Sequence, residues 1–240
     1  MNGGRRSKLD DQETDLRRWQ AHLIVMLSVL IGATTTHGQP VNMNHNQELI
    51  RAADRNDTET VGRLLKAGVP LDARDEQGRT ALLAATSRNY VESAKLLIAA
   101  GADVNALDNK QDSPLLLSGA MGYVEILTLV LQAKPNFKVY NRFGGTALIP
   151  ACERGHVEAV KALLKTDIDI DHVNKLGWTA LLEAIVLSDG GPRHQEIVRL
   201  LVSAEANVNL PDGQGVTPLQ HARQSGFREI VGILESSGAR

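Results

Sequence analysis

One phrase recurs five times along this chain: Asp or Asn, usually Gly three residues later, then Thr or Ser at the fifth. It stands at Asp75–Thr80, Asp108–Ser113, Asn141–Thr146, Asn174–Thr179 and Asp212–Thr217; the first four openings are each 33 residues apart and the last step is 38. A fixed period of this length describes small units that stack, each burying its apolar face against the next rather than around one closed core. Within the phrase, the short side chain of Asp or Asn bonds the backbone ahead and opens a turn. Glycine three residues on permits a left-handed backbone. Thr or Ser then caps a helix by accepting one of its orphan amides. Two helices follow, with apolar residues at helical spacing, as at Val91, Ala94, Leu97 and Ile98.

The second unit shows the full pattern: Asp75, Gly78, Thr80-Ala81-Leu82, a Leu96-Leu97 pair, then Gly101-Ala102-Asp103-Val104-Asn105. The sixth repeats it with Gly215, Thr217-Pro218-Leu219, Gly226 and Gly238-Ala239. On these residues the chain resembles the ankyrin repeat family over 47–239, in units 47–74, 75–107, 108–140, 141–173, 174–211 and 212–239. The resemblance implies an all-α repeat solenoid, an ankyrin stack of about six helix-turn-helix repeats with short β-turn fingers.

Departures from the family pattern are informative. The usual histidine slot holds Leu83, Leu116, Ile149, Leu182 and Gln220, so apolar contact replaces imidazole cross-links between units. Gln111 occupies a turn-glycine slot, where a left-handed backbone costs about 1 kcal/mol. The helix-ending glycine of Gly68, Gly101 and Gly238 is Lys134, Asp167 and Glu205 in units three to five. Unit five carries the extra residues, Ser188–His194, which read as a polar loop between its helices. His221 is expected on the groove side as an exposed polar residue.

In ankyrin arrays partners are held by the fingers and the exposed side of each first helix. Carried onto this chain, the resemblance implies a partner-binding surface of Arg79, Arg88, Lys110, Met121, Arg142, Phe143, Arg154, Lys175, Leu176, Trp178 and Leu187. Apolar Met121, Phe143, Leu176, Trp178 and Leu187 form the centre and the cations form the rim, against Glu76, Asp112 and Glu153, as protein interfaces are commonly built. The alternative is that Trp178 and Leu176 only pack along the fingers. The loop offers Asp189, Arg193 and His194 as a second surface; alternatively Asp189 and Arg193 pair locally.

Catalysis finds no motif. His156 and His172 are isolated, Cys152 is the only cysteine and stands among small residues, and no metal-ligand spacing or phosphate-cradling glycine loop occurs. No cofactor or metal is expected. A net charge of -2 without a basic run excludes nucleic acid as the expected partner. The expectation is a non-enzymatic protein-binding module, monomeric alone; the alternatives are an immunity protein that neutralises a periplasm-delivered toxin and a stabilising subunit of an exported enzyme such as a catalase.

The N-terminus has another plan. Basic Arg5, Arg6, Lys8, Arg17 and Arg18 precede an apolar run from Leu23 to Ala33, and small polar residues follow to Gln39. This is the layout of a secretory signal peptide, 1–38, with a short leader over 39–46 and a periplasmic or secreted mature chain. A run of about 11 residues falls short of the ~20 that cross a bilayer, so an uncleaved inner-membrane anchor is the lesser alternative. N-terminal sequencing of protein from its native host is expected to begin at or within a few residues of Gln39. An intact Met1 in the soluble cytosol would remove the export reading.

Overall fold

The computed structural model describes residues 45–240. The expected export signal, and the leader as far as residue 44, lie outside the described residues. Within them the chain is twelve helices and no strand. They come in six pairs: α1 (His45–Asp54) with α2 (Thr58–Lys66), α3 (Ala81–Ser87) with α4 (Val91–Ala99), and α5 (Pro114–Met121) with α6 (Val124–Gln132). Then follow α7 (Leu148–Glu153) with α8 (Val157–Leu163), α9 (Ala180–Val186) with α10 (Pro192–Ser203), and α11 (Pro218–Gln224) with α12 (Arg228–Ser236). Odd-numbered helices pack on one another as an inner row and even-numbered ones as an outer row. This is the stacked solenoid expected from the period.

Two columns of apolar side chains hold the stack. Leu49, Leu82, Leu115, Leu148, Leu181 and Leu219 repeat once per unit on the inner helices, none more than 2% exposed. Leu64, Leu97, Val130, Leu163, Leu201 and Leu234 do the same on the outer row, all at 0%. Each such side chain contributes about 1.5–3 kcal/mol by leaving water, and each needs the neighbouring unit to do so.

The turns follow their sequence. In every finger one side-chain oxygen accepts two backbone amides, those of the second and fourth residues ahead: Asp75 Oδ1 from Gln77 (3.0 Å) and Arg79 (2.8 Å), and Asp212 Oδ1 from Gln214 and Val216 (2.9 Å each). Thr80, Ser113, Thr179 and Thr217 then cap their helices as expected.

Thr146 does not. Helix α7 starts at Leu148 without a side-chain cap, and the Thr146 hydroxyl, in a residue 1% exposed, has no hydrogen-bond partner. The cause is Pro150, which has no amide to bond the Thr146 carbonyl and so denies the helix its first regular bond. Unit four also gives up its left-handed helix end. Gln111, Lys134 and Glu205 adopt φ of 60°, 54° and 65° in place of glycine, but Asp167 does not join them. There the Thr166 hydroxyl donates to Leu163 O at 2.6 Å instead.

The extra residues of unit five are not all loop, a correction to the expectation. Pro192 occupies the first turn of α10, which runs for 12 residues, so Arg193 and His194 are helical. Proline is pre-set for that position, and the insertion therefore lengthens the outer helix. His194 lands where His156 stands one unit earlier. His156 lies over Gly122, where a Cβ would sit 2.6 Å from its Nδ1, and His194 lies likewise over Gly155.

Replacing Pro150 with Ala restores the missing amide and lets Thr146 cap α7. Pro150→Ala is expected to raise stability by about 1–2 kcal/mol, the gain of a cap and a helix bond less the lost rigidity of the unfolded chain. Urea unfolding measures it. A destabilised variant would show that the proline fits its site.

Candidate functional site

The fingers and the exposed ends of the inner helices form one continuous side of the array. Fingers four and five are tied by three hydrogen bonds. The Lys175 amide donates to Phe143 O at 2.9 Å and its Nζ to Arg142 O at 3.2 Å. The His172 ring nitrogen Nε2 lies 2.6 Å from Gly144 O, and the same ring stacks on Tyr140 with centroids 4.5 Å apart. Fingers two and three are joined by Asn109, whose amide donates to Gln77 O (3.0 Å) and whose Nδ2 donates to Glu76 O (3.1 Å). No backbone bond joins three to four or five to six among the described residues.

The sequence-derived residues sort into two kinds on this surface. Arg79 is a clamp between units, held by Asp75 at 2.8 Å and Asp54 at 3.1 Å. Arg154 is another, donating to Ala120 O at 2.9 Å with Met121 Sδ 3.3 Å away. Arg88 reaches into solvent with only a 3.6 Å approach to Asp54. Lys110 and Lys175 are exposed on the fingers. Arg142 lies 4.6 Å over the Phe143 ring and 4.0 Å from Asp112. Leu176 is 54% exposed, whereas Phe143, Trp178, Met121 and Leu187 are half-buried. Phe143 and Leu176 occupy the same slot of adjacent fingers.

Two surface residues escaped the sequence reading. Tyr140 and Val173, 38% and 45% exposed, stand just before the openers Asn141 and Asn174. Their shared slot is the signal that could have found them.

The second surface is recast. Asp189 pairs with His194 Nδ1 at 3.2 Å, not with Arg193, and also accepts the Gly191 amide at 2.9 Å. The His194 imidazole is 10% exposed, and its Nε2 lies 3.0 Å from Glu153 O. Both ring nitrogens serve packing, so His194 is a brace, whereas Asp189 and Arg193 are exposed there. His221 is likewise a brace: its Nε2 lies 2.9 Å from Asp212 Oδ2, and its side chain is 18% exposed, which corrects the groove-facing expectation.

Glu183 is the group the sequence did not announce. It occupies the slot of His221 one unit earlier and accepts from Asn174 Nδ2 at 2.9 Å, buried at 4% exposure. Burial, reinforced by the nearby Glu153 carboxylate, pushes its pKa up to about 8 against the pull of the Asn174 bond and Arg154. Cys152 is buried as expected; burial, and then Glu183, push its thiol well above the ordinary range. A thiol held protonated is a poor nucleophile.

No cluster of metal-ligating side chains occurs among the described residues, and no helix there is long and apolar enough to cross a membrane. A polar cleft open to solvent lies between α1 and finger two, lined by Gln47, Arg51, Asp54 and Glu76 among others. The surface can hold a partner by shape, apolar contact and charge.

A family model described as "Ankyrin repeats (3 copies)" matches residues 49–141 and 120–212. The chain is 52% identical to an ankyrin repeat domain from Acinetobacter baumannii AYE, with a TM-score of 0.79 over 80% of this chain and 98% of that one. The ankyrin repeat protein EF0377 is 40% identical with a TM-score of 0.78, again over 80% and 98%. The ankyrin repeat domain of Bcl-3, a member of the IkappaB family, is 28% identical with a TM-score of 0.73 over 80% and 86%. The putative ankyrin repeat protein YahD of Escherichia coli K12 is 51% identical over 57 residues, 24% of this chain and 28% of that relative.

The buried carboxyl of Glu183 has a measurable signature. Between its unfolded value near 4.5 and its folded value of about 8, the folded chain keeps a proton that the unfolded chain releases. Stability therefore falls as pH rises through that window and levels off above it. Glu183→Gln keeps an acceptor for Asn174 and removes the proton. The variant is expected to be more stable than the parent by at least about 1 kcal/mol near pH 9 and little different near pH 4. A pH-independent difference in urea unfolding would mean that Glu183 ionises normally.

Proposed function

The chain belongs to the ankyrin repeat family, and from that premise we propose that it is a non-catalytic module that binds a partner protein through its finger and inner-helix surface. The observation that carries the reading is the exposed apolar surface of fingers four and five, with Leu176 54% and Val173 45% exposed on a backbone fixed by finger-to-finger bonds. Single exposed apolar residues are ordinary on proteins, whereas a contiguous set on a rigid support suits an interface. Rigidity matters to affinity, because a preformed surface loses little freedom on docking.

The recognition residues are Leu176, Phe143 and Trp178 at the centre, with Arg88, Lys110, Arg142 and Lys175 around them. Arg79 and Arg154 shape the surface from beneath. The N-terminal pattern supports a further step, that the protein works after export, in the periplasm or outside the cell, as a monomer until its partner binds.

Capture from the native host tests this. Immobilised wild-type protein is expected to retain a partner that the double variant Trp178→Ala, Leu176→Ala loses, each change costing about 2 kcal/mol as an interface anchor. Lys95→Ala, on the outer helix α4, is the control and is expected to retain it. Equal capture by all three would place binding elsewhere on the array.

A further inference from the structure

Fingers four and five differ from the rest in charge as well as in apolar character. Fingers two, three and six open with Asp75, Asp108 and Asp212, and the first two of these carry Glu76 and Asp112 besides; each finger is negative on balance. Fingers four and five open with Asn141 and Asn174, contain no acid, and carry Arg142 and Lys175 in one shared slot. The substitution costs the turn nothing. Asn141 Oδ1 accepts the Phe143 and Gly145 amides at 2.9 Å each, and Asn174 Oδ1 accepts those of Leu176 (2.9 Å) and Trp178 (3.1 Å), against 3.0 and 2.8 Å in the Asp75 finger. The neutral opener thus keeps the turn while removing a negative charge, and at finger five its Nδ2 also donates to Glu183.

The same two fingers concentrate the exposed apolar surface. Of the five exposed large hydrophobic side chains among the described residues, Tyr140, Val173 and Leu176 belong here, and the other two, Leu96 and Val124, sit on outer helices. A cationic, apolar pair of fingers is thus flanked by anionic ones, in a chain whose net charge is -2. The patch spans only two fingers. A nucleic acid backbone crossing the fingers would meet the acids of fingers two and three on one side and no further cations on finger six on the other, and a flat membrane would face the same fringe.

We propose that fingers four and five are a subsite for an acidic segment of the partner protein, with an apolar side chain against Leu176, Val173 and Tyr140 and carboxylates on Arg142 and Lys175. This rests on the groove-binding reading and adds the partner's chemistry. A guanidinium has five donors, so Arg142 can serve the Phe143 ring, Asp112 and an incoming carboxylate together. On the side of finger three, Asp108 and Asp112 repel an acidic segment that strays along the array; on the other side Asp212 is buried against His221 and finger six offers no cation to hold it.

The test uses the full chain and defined probes. A fluorescein-labelled peptide with a Leu–Trp–Leu centre between runs of glutamate is compared, by anisotropy, with its lysine counterpart and with a labelled oligothymidylate. The acidic peptide is expected to bind and the other two not, with affinity falling as salt rises. Arg142→Gln with Lys175→Gln, folded by circular dichroism, is expected to lose at least about tenfold, and Leu176→Ala about as much. Equal binding of both peptides, an unaffected double variant, or binding of the oligothymidylate with the acidic peptide unbound would each overturn the proposal. If the partner captured by wild type is lost by the Trp178 and Leu176 variant but kept by the Arg142 and Lys175 one, groove binding stands and the acidic chemistry falls.

Discussion

One oxygen per finger carries the order of this molecule. A turn that projects from a helical stack exposes its amides, and unmet amides would let it fray. The Oδ1 of Asp75, Asp108, Asn141, Asn174 or Asp212 meets two at once, and so fixes the shape of the turn from which the following helix departs. The phase of each inner helix follows from that turn. So does the column from Leu82 to Leu219, in which each leucine stands seven residues after its opener, Leu148 included although α7 begins one residue late. A leucine turned by one position would face solvent instead of its neighbour.

What was legible in the sequence was whatever a residue does to its own surroundings. Turn openers, four of the five caps and the buried thiol at Cys152 behave as their types require. What was hidden came from groups that are missing or from distant neighbours. Thr146 carries the right hydroxyl, but the amide that Pro150 lacks delays the start of α7 and the hydroxyl is left without a partner. Glu183 looks like an ordinary helical acid until α7 and finger five close around it. His194 reads as a loop tip until Pro192 is seen to start a helix.

The candidate surface was legible in outline and misweighted in detail. Composition cannot separate a cation that clamps the fold from one that faces solvent. Arg79 and Arg154 spend their donors on Asp54, Asp75 and the Ala120 carbonyl, while Arg88 extends outward and Lys175, though exposed, lies back over finger four. Tyr140 and Val173 went unnoticed because the slot before the opener lies outside the recurring phrase and holds Arg74, Leu107 and Pro211 in the other units, so only a comparison of adjacent units picks them out.

The lengthened fifth unit has a consequence for how such arrays change. His194 sits over Gly155 as His156 sits over Gly122, although 38 residues separate the two histidines. What the stack demands is therefore vertical alignment, not a count of residues. Added chain is accommodated when it leaves the array between the rows and returns with an imidazole above the preceding glycine. The outer row can thus grow by most of a helical turn while the inner row, and the surface it carries, keeps its spacing. Repeat length is a free variable in this protein, and the alignment of one unit on the next is not.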